Sequence, residues 1–242
     1  MTVSEGAART IMIVNPNTSG VMTDAAVAAA RQVAAPGTIV VGSTPPSGVS
    51  SVESNVDEAW GALAVLEQVR AGEENGVDAY VIACFGDPGV AAAREVATGP
   101  VVGMTEAALL TAALVAARFT IVTMPRRTRE QSHRVVRALG LGHRCTVRAV
   151  DIPVADIADG ATHELRTFAE QGRRAIDDDA AEAIILGCAG LTELVEPLQE
   201  LLQVPVIDGV RAGATFTEAL LAQRLTTSRA STYAAPERLG PG

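Results

Sequence analysis

The 242-residue chain contains no lysine; all 19 of its basic residues are arginine. Schiff-base chemistry is therefore excluded, because a pyridoxal-phosphate enzyme anchors its cofactor on a lysine. A Walker-type phosphate loop is excluded on the same ground. Histidine is scarce, and His133, His143 and His163 lack the i, i+4 spacing and carboxylate pattern of a zinc site. The three cysteines, Cys84, Cys145 and Cys188, follow neither a CxxC nor a disulfide-framework spacing. The longest strongly apolar run, Ala107 to Ala117 with Thr111 inside it, is far short of a membrane span, and the first nine residues include Glu5 and no apolar stretch. A net charge of -9 argues against a nucleic-acid partner, whose affinity would come from clustered cations. The one arginine-rich stretch (Arg126, Arg127, Arg129, Arg134 and Arg137) reads as one helix's solvated side. These absences lead to the expectation of a cytoplasmic globular protein with no cofactor, no metal, no nucleic acid and no membrane contact.

What the chain does have is apolar residues, 48% of the total, arranged as short β-rich runs alternating with longer helical patterns. The runs are 10–14, 38–41, 78–83, 119–123, 145–150 and 182–186, and helical periodicity marks 54–69, 88–96 and 162–176. The alternation predicts an α/β fold with parallel sheets, covered by helices on both faces because the runs are apolar almost throughout. The two halves also resemble each other. Cys84 and Cys188 lie 104 residues apart, Pro100 and Pro205 lie 105 apart, and each cysteine follows an apolar run and precedes a glycine, Gly86 or Gly190. Such an offset predicts two similar α/β units related by a pseudo-twofold, with the active site in the cleft between them. The expected units are 1–104, which also receives a C-terminal helix at 209–225, and 105–226, followed by a tail, 227–242, expected to be loosely held after Arg229, where Pro236, Gly240, Pro241 and Gly242 stand.

Ligands of open α/β sheets bind beyond the carboxyl ends of the strands, so the repeat is expected to bring both thiols to one cleft. Racemisation next to a carbonyl needs a proton removed from one face and another delivered to the opposite face. With an unperturbed pKa of about 8.5, one thiol of such a pair serves as thiolate base and its partner as acid. Each cysteine is expected directly before a helix, with Asp87 and Pro88 as cap and first-turn residues in the first half and Ala189, Gly190 and Leu191 in the second. Helix amides there would favour the thiolate and hold an enolate oxygen, and Gly86 and Gly190 would let substrate approach the backbone. Taken singly, either cysteine reads as core filling; their matched contexts make them the catalytic candidates. Cys145, in a strand-like run without a following glycine, is assigned to packing.

The candidate substrate-binding residues are Asn15 and Asn17 in the turn after the first strand, Thr123 and Met124 at the equivalent place in the second half, and Phe85, Gly86, Ala189 and Gly190 after the cysteines. Thr18 or Ser19 is expected to cap the next helix. Asp177, Asp178 and Asp179 read as a solvated helix end, and Ser43 to Ser51 as a flexible loop, either closing over substrate or idle.

The segments Ile-Val-Asn-Pro-Asn-Thr-Ser (13–19), Ala-Cys-Phe-Gly-Asp-Pro-Gly (83–89), Pro-Val-Val-Gly (100–103), Leu-Gly-Cys-Ala-Gly (186–190) and Pro-Val-Ile-Asp (205–208) resemble the motifs of the aspartate/glutamate/hydantoin racemase superfamily. Within it, they look most like the branch acting on hydantoins. The likeness runs from about residue 10 to 235, and the tail from Thr227 to Tyr233 shares it. It implies a cofactor-independent racemase of 5-substituted hydantoins, a homo-oligomer with a small-molecule substrate, in which Cys84 and Cys188 are the catalytic pair and the Asn17 turn binds the ring. Superfamily relatives act on allantoin, a hydantoin with a ureido group, on maleate, or as single-cysteine decarboxylases of arylmalonates. Two cysteines disfavour the last. Amino-acid racemases usually carry Asn-Thr and Thr-His after their cysteines; Phe85-Gly86 and Ala189-Gly190 stand there instead and favour an uncharged ring. The alternatives are an allantoin racemase, a non-catalytic small-molecule binding module, and a thiol redox protein. The apolar Phe85, Val90 and Met124 predict aliphatic or aromatic 5-substituents.

Overall fold

A computed structural model describes residues 9–154 and 162–237. The elements of the first half are β1 (Thr10–Val14), α1 (Gly20–Val33), β2 (Ile39–Ser43), α2 (Asn55–Glu74), β3 (Ala79–Ile82), α3 (Val90–Val96), β4 (Val101–Gly103) and α4 (Met104–Val115). The second half runs β5 (Phe119–Thr123), a 3-10 turn (Arg126–Thr128), α5 (Arg129–Ala138), β6 (Cys145–Ala149), α6 (Thr162–Asp179), β7 (Ala183–Gly187), a 3-10 segment (Ala189–Leu194), α7 (Val195–Leu202), β8 (Val206–Asp208) and α8 (Gly209–Ala222). Two parallel four-stranded sheets result, with matching orders β2-β1-β3-β4 and β6-β5-β7-β8. In each sheet the order reverses direction at one point, between β1 and β3 and between β5 and β7. A crevice opens at such a point beyond the strand ends, and the cysteines lie just past β3 and β7.

The paired α/β architecture read from the sequence is present. Every residue of β3, β5 and β7 is buried, as expected of strands covered on both faces. Ser19 caps α1 by accepting the Met22 N-H, and Ser54 caps α2 by accepting the Asp57 N-H at 3.1 Å. Helix α2 continues five residues past the expected Val69 because its polar end has tertiary partners. Glu73 accepts the Tyr80 hydroxyl at 2.7 Å and the Thr98 N-H at 2.9 Å.

The last helix of each half crosses to the other half. Helix α4 packs on β7 and β8, whereas α8 packs on β3, β4 and α1, and α4 and α8 lie against each other. One apolar cluster consequently takes Ile11, Ile13 and Val81 from the first sheet, Phe119, Ile121 and Ile185 from the second, and Met104, Leu109 and Val210 from these helices. Among the described residues, no helix is long and apolar enough to cross a membrane.

Several expectations are corrected. The tail is held down over its described part: Arg229 donates to the carbonyls of Glu95, Ala97 and Tyr233, and Arg94 lies 5.9 Å from the Tyr233 ring. Gly240, Pro241 and Gly242 lie outside the described residues. The arginine-rich stretch is not one helix but a 3-10 turn followed by α5, with its arginines exposed. Asp177 and Asp178 are solvated, but Asp179 forms a two-bond pair with Arg148, at 2.6 and 2.9 Å, and accepts the Thr120 hydroxyl at 3.3 Å. Residues 43–51 are pinned: Val49 accepts the Thr18 N-H at 2.9 Å, and Ser51 bonds Glu53, which accepts the Val154 N-H at 3.0 Å from the second half.

Candidate active site

One pocket collects the ends of both sheets. It holds about 500 Å³ of empty space, its open mouth included. From the first half come Asn15, Asn17, Met22, Val52, Ala83, Cys84 and Phe85; from the second come Thr123, Met124, Thr128, Gln131, Ser132, Val154, Gly187, Cys188, Ala189 and Gly190. Both candidate thiols therefore share one cavity. Both are free and half-buried, whereas Cys145 is buried in the core at the start of β6.

The surroundings of the two thiols differ. Cys84 was expected at a helix N-terminus. Instead α3 begins only at Val90, capped by Gly89 with φ +75°, where a Cβ would lie 2.9 Å from the Ala62 carbonyl oxygen. Of the amides expected near Cys84, those of Gly86 and Asp87 are used within the fold, and that of Phe85 is left. Gly86 takes φ +99° and donates its N-H to Thr105 Oγ1 at 2.8 Å, and it is not among the pocket-lining residues. Asp87 does not cap α3; its carboxylate accepts the Thr105 and Glu106 N-H groups at the start of α4, at 2.8 and 2.9 Å. The Cys84 thiol is left donating to the Phe85 carbonyl across 3.8 Å. Burial pushes its pKa well above the usual range, and the Cys188, Asp87 and Glu58 charges add to the rise.

Cys188 stands at the N-cap position of the 3-10 segment, directly before a helical stretch as its sequence context predicts, without a side-chain capping bond. Burial raises its pKa and Glu53 adds to this, while the Gly190 N-H opposes both; the result is a thiol pushed up to about 11. The expectation that helix amides lower both thiols is thus corrected. Both are held protonated by burial, and Cys188 is the more acidic. Asp87 itself is pushed up to about 7, by burial and then by Glu106, against the pull of its amide and hydroxyl partners.

The asparagine turn divides its labour. The Asn15 amide nitrogen bonds Asn17 Oδ1, the Ser19 carbonyl and Thr23 Oγ1, and its Oδ1 accepts the Asn17 N-H. Its side chain is spent on holding the turn. Asn17 Oδ1 accepts from Asn15 and from the Ser19 N-H at 2.9 Å, and its amide nitrogen meets only Met22 Sδ at 3.5 Å. Asn17 therefore has the donor to offer a ligand. Thr123 donates its hydroxyl to the Gly187 carbonyl at 3.1 Å and joins the ends of β5 and β7. Only glycine fits at 187, because a Cβ there would lie 2.5 Å from Thr123 Cβ.

Sequence reasoning missed the contribution of α5. Gln131 presses on the Cys84 turn, with its Cβ 3.1 Å from where a Gly86 Cβ would stand, and it donates to Glu58 at 3.4 Å. Ser132, almost wholly enclosed, lines the pocket with a hydroxyl that has no partner among the described residues. No local signal marks this pair, since Gln-Ser in a charged helix reads as surface. Val90, expected near the substrate, packs instead in the core around Tyr80.

A family model described as Asp/Glu/hydantoin racemase matches residues 11–217. The chain belongs to that family. It is 41% identical to a hydantoin racemase of a Pseudomonas strain over 94% of this chain and 92% of the relative, and 40% identical to one from Paenarthrobacter aurescens over 93% and 97%. Among solved structures, an allantoin racemase from Klebsiella pneumoniae superposes with a TM-score of 0.92 at 45% identity, covering 97% of this chain and 96% of that one. Family membership agrees with a pocket formed by equivalent ends of two related sheets.

Proposed function

We propose that the chain racemises 5-substituted hydantoins without a cofactor, using Cys84 and Cys188 as opposed acid and base. The observation that carries this reading is the arrival of both thiols, at equivalent strand ends of two similar sheets, in one cavity. Hydantoin racemases at about 40% identity over nearly the whole chain support the substrate class. In one turnover, a Cys188 thiolate takes the C5 proton of one enantiomer. The electron pair moves onto the adjacent carbonyl as an enolate, and the Cys84 thiol returns a proton to the opposite face. Cys188 ends protonated and Cys84 ionised, the state that processes the other enantiomer. Cys188, the more acidic thiol, is the first to ionise, and the coupling of Cys84 to the Cys188 charge disfavours ionising both, so that one thiol stays an acid while the other is the base. The Phe85 N-H, which has no partner among the described residues, is the amide left for the enolate oxygen, and Asn17 is the side-chain donor for the ring.

A second reading narrows the substrate to a ureido-bearing hydantoin. Ser132 and Gln131 supply polar groups beside the apolar Phe85 and Met124, and an unpaired ureido would otherwise cost about 1–3 kcal/mol. Comparing kcat/KM for allantoin with that for an alkyl hydantoin decides between the two; an advantage for allantoin favours the second. The homo-oligomer belongs to the same proposal. Leu110, Leu114 and Val115, exposed on α4, support it, and the molar mass from light scattering checks it.

The test is loss of optical rotation from an enantiopure hydantoin, with the protein alone after exhaustive dialysis against chelator. Decay of rotation to zero is expected. A requirement for added metal or pyridoxal phosphate, or no decay at all, would refute the reading; no decay with tight binding is what a binding module gives.

A further inference from the structure

The two halves fasten their cysteine turns with the same chemical parts in exchanged positions. In the first half the carboxylate belongs to the cysteine turn. Asp87, three residues beyond Cys84, accepts the Thr105 and Glu106 N-H groups of α4. Thr105 Oγ1 also accepts the Gly86 N-H at 2.8 Å. The fit leaves no slack, since a Cβ on Gly103 would lie 2.3 Å from Asp87 Cγ. In the second half the carboxylate belongs to the helix. Asp208, which caps α8, accepts the Arg211 N-H at 2.8 Å, and Thr192, four residues beyond Cys188, donates its hydroxyl to Asp208 at 2.6 Å. Thr105, Thr192 and Asp208 are buried, and Asp87 is half-buried against Gly103.

The neighbouring ion pairs are exchanged in the same sense. Arg94 of α3 meets Glu106 of α4, and Glu196 of α7 meets Arg211 of α8 at 2.5 Å. The helices so fastened are the two that cross between the halves. The Cys84 turn is tied to α4, which lies on β7, the strand that ends at Cys188; the Cys188 turn is tied to α8, which lies on β3, the strand that ends at Cys84. Each clamp therefore references one thiol to the sheet that carries the other. A proton-transfer pair needs that registration, because a misplacement of about 1 Å costs up to about 10²-fold in rate.

We propose that Asp87-Thr105 and Thr192-Asp208 are positioning clamps, one for each thiol, and that each governs proton transfer on one face of the substrate. This rests on the reading of Cys84 and Cys188 as opposed acid and base. None of the four residues touches substrate; they act through the cysteine turns.

The test uses the full-length protein with one thiol at a time. Cys188→Ser leaves Cys84 to exchange the C5 proton of one enantiomer in D₂O, and Cys84→Ser leaves Cys188 to exchange the other, both followed by proton NMR. Into each background go Thr105→Val and Thr192→Val, which delete a hydroxyl and keep its shape. The quantity read is the ratio of the Cys84-face rate to the Cys188-face rate. Thr105→Val should lower that ratio by about 10- to 100-fold and Thr192→Val should raise it by a similar factor, with Thr105→Ser recovering most of the loss. Asp87→Asn and Asp208→Asn, which keep the volume of the side chain, give the same crossed comparison where a valine variant does not fold. A ratio unmoved by every variant, or moved in the same direction by both clamps, overturns the proposal by making the clamps structural only. Failure of the two single-serine proteins to exchange opposite enantiomers, before any clamp is touched, instead refutes the thiol assignment.

Discussion

At the scale of single residues, the site departs most from its sequence in the acidity of its thiols. Matched motifs around Cys84 and Cys188 suggest matched thiolates, but only Cys188 receives an amide, and burial outweighs it. A thiol with a raised pKa is neutral until the pH approaches that value, and alkylating reagents attack only the thiolate. The rate of iodoacetamide labelling should therefore still be rising at pH 10, about 1.5 units past the ordinary thiol value of about 8.5. Cys188, held near 11, should be labelled before Cys84. Peptide mass spectrometry at a series of pH values reads both. A plateau below pH 9, or Cys84 reacting first, would contradict the assignment of burial as the dominant cause. A bound hydantoin should protect both thiols and leave the slow labelling of Cys145 unchanged. Asn15 and Asn17 carry the same lesson. The motif places both at the cleft, but hydrogen-bond bookkeeping alone separates the residue that holds the turn from the residue with a donor to spare.

At the scale of elements, six strands and the parallel sheets were legible because buried parallel strands are apolar throughout, as β3, β5 and β7 are, whereas the three-residue strands β4 and β8 are too short to stand out as runs. The offset of about 104 residues exposed the pairing of the halves, and with it the shared cavity. What could not be read were features decided by a partner distant in sequence. The sequence places Asp87 before a helix, but Gly103 and the start of α4 determine where its carboxylate goes. Gln131 and Ser132 look like surface residues until Phe85 and Gly86 are folded against them. The close approach of α8 to α4 and to β3 belongs to the same class. A Cβ on Gly209 would lie 2.8 Å from the Met104 carbonyl oxygen, and one on Gly213 would lie 2.7 Å from Val81 Cγ1. Gly209→Ala should accordingly cost about 1–3 kcal/mol through overpacking. Gly20→Ala, at an exposed helical position with nothing within 4 Å, should stabilise by about 0.4–1 kcal/mol. Urea unfolding of the pair measures both; a neutral Gly209→Ala would show that the helices are free to separate.

At the scale of the whole molecule, exchange of α4 and α8 between the halves joins the two α/β units through a shared apolar cluster. The cavity at the sheet ends is thereby formed across a joint that the core braces. That bracing suits a reaction in which two groups face each other across one carbon, each reaching one face only. Changing either cysteine to serine should stop racemisation in both directions, since a well-placed acid or base contributes about 10²–10⁴-fold and serine is a far weaker acid. The surviving thiol still removes and returns a proton on its own face. The most direct measurement of the central claim is therefore deuterium uptake at C5 of each pure enantiomer by Cys84→Ser and by Cys188→Ser, with background exchange subtracted. The account predicts that each variant exchanges one enantiomer without inverting it and that the two variants choose opposite enantiomers. Exchange of the same enantiomer by both, or a Cys145→Ser protein as impaired as either, would contradict it.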